Sequence, residues 1–205
     1  MVELEPQWFS AIGTVLAVIV AIMLSVSSLI AKWWNKPRFK VEFKNEEPYC
    51  RTTTFPLYLA YWIRLRFLNE GRSVAKDCEG KLVKIIDAQT KEERKDFDPV
   101  VLHWVGTTID KPIDINKNEY EYLDIIHTQS NDQDRFYIRA VGVEKDPRGI
   151  NLNPERRDYF LHIELYGANV GPKFVEIELK NHRDFNKIRA SVHDKSSFKE
   201  VTKIF

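Results

Sequence analysis

Cysteine is scarce in this chain: Cys50 and Cys78 are the only two among 205 residues. Two thiols cannot staple a domain of that size, which excludes a disulfide-built scaffold and leaves open one bridge or two free thiols. An excess of one charge is also missing, with 31 basic and 30 acidic residues giving a net charge of +1. Each phosphate contact of a nucleic-acid binder draws on a Lys or Arg, so nucleic acid is not an expected partner. No glycine-rich phosphate loop, G-x-S-x-G elbow or H-E-x-x-H pair occurs, which removes the common signatures of nucleotide, acyl-transfer and zinc-peptidase chemistry.

Charge is most conspicuously absent near the N-terminus. No ionisable acid or base stands between Gln7 and Ala31, in the run WFSAIGTVLAVIVAIMLSVSSLIA. About 20 apolar residues rising 1.5 Å each cross a bilayer core, so this run spans one with some tilt. Trp8 stands at one end and Trp33 and Trp34 at the other, where indole rings favour the headgroup layer. A cleaved signal peptide would need a basic start and a small-residue cleavage site. Here the start is MVELEPQ and the run ends in Lys32-Trp33-Trp34, so a retained anchor is expected. No Lys or Arg precedes the span, whereas Lys32, Lys36, Arg38, Lys40 and Lys44 follow it. The positive side stays cytoplasmic, which predicts the N-terminus outside and the rest of the chain inside a cell membrane. The interface anchors are then Trp8, Lys32, Trp33, Trp34, Lys36 and Arg38. Gly13, Ala17, Ala21 and Ser25 recur every four residues and form a candidate helix–helix face for a homo-oligomer. Small residues are frequent in this span, so composition alone also yields such a stripe.

Beyond Pro37 the pattern changes to period two. RFKVEF alternates from Arg38 to Phe43; Tyr61, Ile63, Leu65 and Phe67 share a face opposite Arg64 and Arg66. Asn45–Pro56 reads as a polar loop and Asn69–Arg72 as a turn. Strands are expected at Cys78–Asp87, Val100–Trp104, Pro112–Ile115, Tyr120–His127 and Arg135–Val141. Tyr159–Tyr166 and Lys173–Leu179 alternate most clearly. Seven to nine short strands without a long helical period predict a mainly β fold, an antiparallel β-sandwich behind one transmembrane helix. The expected layout is a short tail at 1–7, the helix at 8–34, the sandwich at 35–180 and a tail at 181–205. For that tail a short C-terminal helix and a last strand at Ile188–Val192 both stay open.

The stretch IRLRFLNEGRSVAKDCEGKLV, from Ile63 to Val83, resembles the adhesion-type, immunoglobulin-like modules called CARDB domains. In them an alternating strand meets an Asn-x-Gly turn and an alanine opens the next strand; Asn69, Gly71 and Ala75 match that pattern. IDINKNEYEYLDI is similar to the strand-turn-strand that follows in such modules, with Asn118 where glycine is usual, and LHIELYGANVGPKFVEIEL to their last hairpin. The acidic, Asn-rich ending common in those modules is missing. The resemblance implies an immunoglobulin-like sandwich and no catalytic activity.

The remaining chemistry-bearing residues have plain readings. His162 and Glu164 lie two apart on one strand and face the same way, but a metal site needs a third ligand and none is spaced to join them. His103 beside Trp104 reads as a core or interface residue; His127, His182 and His193 read as surface. Lys76 near Cys78 would favour a thiolate, but no histidine partner is evident. No catalytic, metal or cofactor residue is expected. The expected function is a membrane-tethered binding module with the lipid bilayer and a protein as partners, through the loops Ala88–Asp98 and Glu144–Asp158. An oligomerising sensor is the first alternative and an anchored enzyme the second.

Overall fold

The computed structural model describes residues 6–95, 97–107, 111–138, 158–180 and 185–195, divided into two units at residues 1–36 and 37–205. The first unit holds one helix, α1 (Pro6–Trp34). Proline suits its first position, where a backbone N–H has no helical partner. Its 29 residues rise about 43 Å. Within it Ser10–Ala31 has a mean hydropathy of 2.5, and none of its most apolar stretch is buried within the chain. The helix is therefore long and apolar enough to cross a membrane.

The second unit is all antiparallel. Its strands are β1 (Phe39–Glu42), β2 (Cys50–Thr54), β3 (Leu59–Asn69), β4 (Ala75–Asp87), β5 (Val100–Val101), β6 (Ile113–Ile115), β7 (Tyr120–Gln129), β8 (Asp132–Tyr137), β9 (Tyr159–Gly167), β10 (Val170–Lys180) and β11 (Arg189–Lys195). One sheet runs β1-β3-β7-β8, with β2 beside β1 on the same edge of β3. The other runs β11-β10-β9-β4-β5, with β6 also on β4. Their inner faces make one core: Ile63, Leu65, Phe67, Leu123 and Ile125 from the first sheet, Leu82, Ile85, Leu161, Ile163, Val175 and Ile177 from the second. This is the two-layer sandwich the alternation predicts.

Three features lie beyond the alternation. Eleven strands stand among the described residues, more than the seven to nine expected, because β2 occupies part of the presumed loop Asn45–Pro56. Its sequence CRTTT buries only Cys50, so it carries no apolar period although its threonines suit a pleated edge. Tyr120–His127 buries Leu123, Asp124, Ile125 and Ile126 in succession, because the pairing with β3 slips between Ile63 and Arg64, as a β-bulge requires. Segment 100–105 changes sheets: Val101 pairs with Lys81 of β4, whereas Trp104 bridges to Leu123 of β7. Trp104 then closes the core, its Nε1–H donating to Cys78 O at 3.0 Å and its ring meeting Phe67 edge-on.

Of the two readings for the end of the chain, the described part takes the strand. β11 pairs Ala190 with Leu179 and Val192 with Ile177. The Asn45 side chain binds both Ala190 backbone groups, at 2.9 Å each way, which occupies part of an otherwise open sheet edge. Residues 196–205 lie outside the described residues.

Candidate binding surface

The residues expected at the membrane interface fall in both units. Trp8, Lys32, Trp33 and Trp34 fall within α1; Trp34 is exposed, and the side chains of Trp8, Lys32 and Trp33 lie outside what is described. Lys36 is exposed just after the helix. Arg38 is exposed too, but its backbone belongs to the sandwich: its N–H donates to Asn69 Oδ1 at 3.2 Å and its carbonyl accepts from Glu70. Gly13, Ala17, Ala21 and Ser25 share one side of α1 by their spacing. The hydroxyls of Thr14, Ser25 and Ser27 donate to the carbonyls of Ser10, Ala21 and Leu24 at 2.8–2.9 Å. The helix thus satisfies these hydroxyls within itself, which a lipid environment requires.

The histidines are parts of packed faces. His162 and Glu164 do share the outer face of β9, but His162 Nε2 meets Glu176 Oε2 at 3.0 Å across the β9–β10 pairing. His193 stands opposite Glu176 on the far side. No group of three metal-ligating side chains occurs among the described residues. His103 is buried, as its apolar neighbours imply. His127, read as surface, is instead stacked between Trp62 at 4.2 Å and Tyr137 at 5.2 Å between ring centroids. The polar sequence around it hid this, because Trp62 and Tyr137 reach it from other strands. His182 lies outside the described residues.

That stack belongs to an aromatic and arginine layer over the outer face of the first sheet. The Arg64 guanidinium lies 5.7 Å from the Trp62 ring centre, and its Nε binds Asp124 Oδ1 at 2.7 Å. Arg66 sits 3.7 Å from the Tyr120 ring centre and pairs with Glu42 at 3.2 Å. Tyr49, Tyr120 and Tyr122 meet edge-on. Cations and ring faces here are turned on one another, which stiffens the sheet.

Among the described residues of the sandwich, consecutive exposed apolar side chains stand elsewhere, at the β2–β3 hairpin tip. Phe55 is 36%, Leu57 85% and Leu59 37% exposed. In the sequence this tip falls partly within the polar stretch Asn45–Pro56, and contacts are expected instead in two longer loops, Ala88–Asp98 and Glu144–Asp158. Of those, residues 144–157 lie outside the described residues. The other folds back: Arg94 N–H donates to Ile85 O, Lys84 pairs with Glu93, and Lys91 covers Phe160. The signal for the tip was present as F-P-L-Y-L, an apolar run broken by proline and too short to continue a strand.

Both cysteines are free and buried. Burial, then the Asp114 carboxylate, pushes the Cys78 thiol up to about 12; burial also raises Cys50. The lowering expected from Lys76 does not prevail, because the site is apolar and acids stand beside it. Neither thiol should react with iodoacetamide at pH 8 in the folded protein, while both react after denaturation; fast labelling of the native chain, read by mass spectrometry, would contradict this. No family model, curated protein or solved structure matches the chain.

Proposed function

We propose that the chain is a membrane-tethered β-sandwich module that holds a protein interaction surface at the cytoplasmic face of a cell membrane. The observation that carries this reading is α1, whose large apolar side chains from Ile12 to Ile30 are exposed all round while its hydroxyls bond internally. Such a helix is stable in lipid and not in water. The sandwich has its own continuous core, as a module that folds apart from its anchor needs. The likeness of Asn69, Gly71 and Ala75 to adhesion-type, immunoglobulin-like modules supports binding over catalysis.

The cytoplasmic side follows from Lys32, Lys36, Arg38, Lys40 and Lys44, all after the span, and two free thiols suit a reducing compartment. Protease added to intact cells should leave the sandwich whole and cut it only after lysis. Cleavage in intact cells would place the module outside.

A second reading adds self-association through Gly13, Ala17, Ala21 and Ser25. Among the described residues, and apart from the helix's own backbone, nothing comes within 4 Å of a side-chain carbon at Gly13, and the Ser25 hydroxyl bonds to the Ala21 carbonyl of its own helix, which leaves room for a neighbouring helix. Leucine at Ala17 and Ala21 together should abolish crosslinked oligomers in membranes. Unchanged oligomers would remove the stripe from the account.

A further inference from the structure

We propose that the β2–β3 hairpin tip is a second membrane contact, entering the boundary between headgroups and acyl chains of a lipid surface; the inference rests on the anchored reading of α1. Phe55, Pro56, Leu57, Tyr58 and Leu59 are consecutive, and Leu57 is the most exposed large apolar residue among those described. The tip is held out. Phe55 N–H donates to Tyr58 O at 2.9 Å, and the two rings stack with centroids 5.0 Å apart. Leu59 exchanges hydrogen bonds with Ser130 of the neighbouring hairpin, at 2.9 Å to its hydroxyl and 2.8 Å from its N–H. These bonds prevent the side chains from folding back onto the domain, so the apolar surface is shielded only by something outside it.

Charge and reach favour lipid as that occupant. No Asp or Glu occurs between Glu47 and Glu70, where the charged residues are Arg51, Arg64 and Arg66. Arg64 is taken by Asp124, but Arg51 is exposed on β2, opposite Trp62 and four residues before Phe55, and suits anionic headgroups. Asp132 of the adjacent turn is already met by Tyr137 and Arg135. Phenylalanine and leucine as wedge, tyrosine at headgroup level and arginine above them match an interfacial contact. The chain enters the sandwich where Phe39 pairs with Asn69, at the opposite end of the 11-residue strand β3, roughly 33 Å from the tip. Because the anchor keeps the tip close to lipid, even a weak second contact is populated.

The test uses the full chain with Leu57→Cys carrying an environment-sensitive fluorophore, and in parallel Leu16→Cys within the helix. Cys50 and Cys78 are buried, so the label goes to the introduced thiol. Both proteins are placed in phosphatidylcholine–phosphatidylglycerol vesicles at low protein density, without any other protein. The expected result is blue-shifted emission at both positions and loss of most of it to lipid-borne nitroxide. Label 16 in lipid with label 57 quenched only by aqueous iodide overturns the tip contact and leaves the anchor standing. Both labels in water overturn the anchor and the tip together. A shift at 57 that appears only as protein density rises overturns lipid in favour of a second copy.

Discussion

Alanine at Asn69 is expected to destabilise the folded sandwich by about 3–5 kcal/mol, because several buried backbone groups lose their partner at once. Asn69 is 0% exposed. Its Oδ1 accepts from Arg38 N–H at 3.2 Å and Gly71 N–H at 3.0 Å, and its Nδ2 donates to Ser73 O at 2.8 Å and Ile115 O at 3.0 Å. One carboxamide thus ties the start of β1, the β3–β4 turn and β6. Its backbone adds bonds to Glu119 and Asn118. Asn118 takes φ 63°, a conformation open to asparagine and glycine. Gly71 completes the joint, since a side-chain carbon there would lie 2.4 Å from the backbone of Pro37 and Arg38. Aspartate at 69 keeps the acceptor, loses both donations and buries a charge, so it should be no milder than alanine. Urea denaturation of the full chain in detergent, followed by tryptophan fluorescence, measures both. A loss under about 1 kcal/mol for Asn69→Ala would mean that water replaces the amide and the joint is dispensable.

Arginine at both Val18 and Ile22 is expected to expel α1 from the bilayer. Both positions lie near the middle of Ser10–Ala31, where neither side chain easily reaches a headgroup layer. At about 2.5–3.5 kcal/mol per arginine at a helix centre, the pair opposes insertion by about 5–7 kcal/mol. The sandwich has a core of its own, built among the described residues from Phe39 onward, so the variant should keep its β-sheet circular dichroism while its membrane-bound fraction falls. A double variant that stays with the membranes would show that something other than α1 holds the chain there.

The strongest elements were legible because each needs only its own residues. α1 shows as an uncharged run, and β9 as the alternation of Tyr159, Leu161, Ile163 and Leu165, all buried, with Phe160, His162, Glu164 and Tyr166 on the other face. β2 was not legible, because a polar edge strand takes its structure from the partner it joins. The buried Asp124 and the stacked His127 depend on a bulge and on residues from other strands. Glu176 pairs with His162 across a register that no local pattern fixes. Asn69 and Gly71 were legible as a turn, but the joint was not, since Arg38 and Ile115 come from distant parts of the chain. The hairpin tip was overlooked because apolar residues are expected inside; only the fold shows that β2 ends before Leu57 and β3 begins after it, which leaves it in the open.

Alkaline carbonate extraction of membranes carrying the full chain tests most directly whether α1 is a membrane anchor. Integral helices resist this treatment and peripheral proteins do not. With α1 as the anchor, the full chain stays in the pellet and a chain beginning at Pro37 is released. Release of the full chain into the supernatant would contradict it.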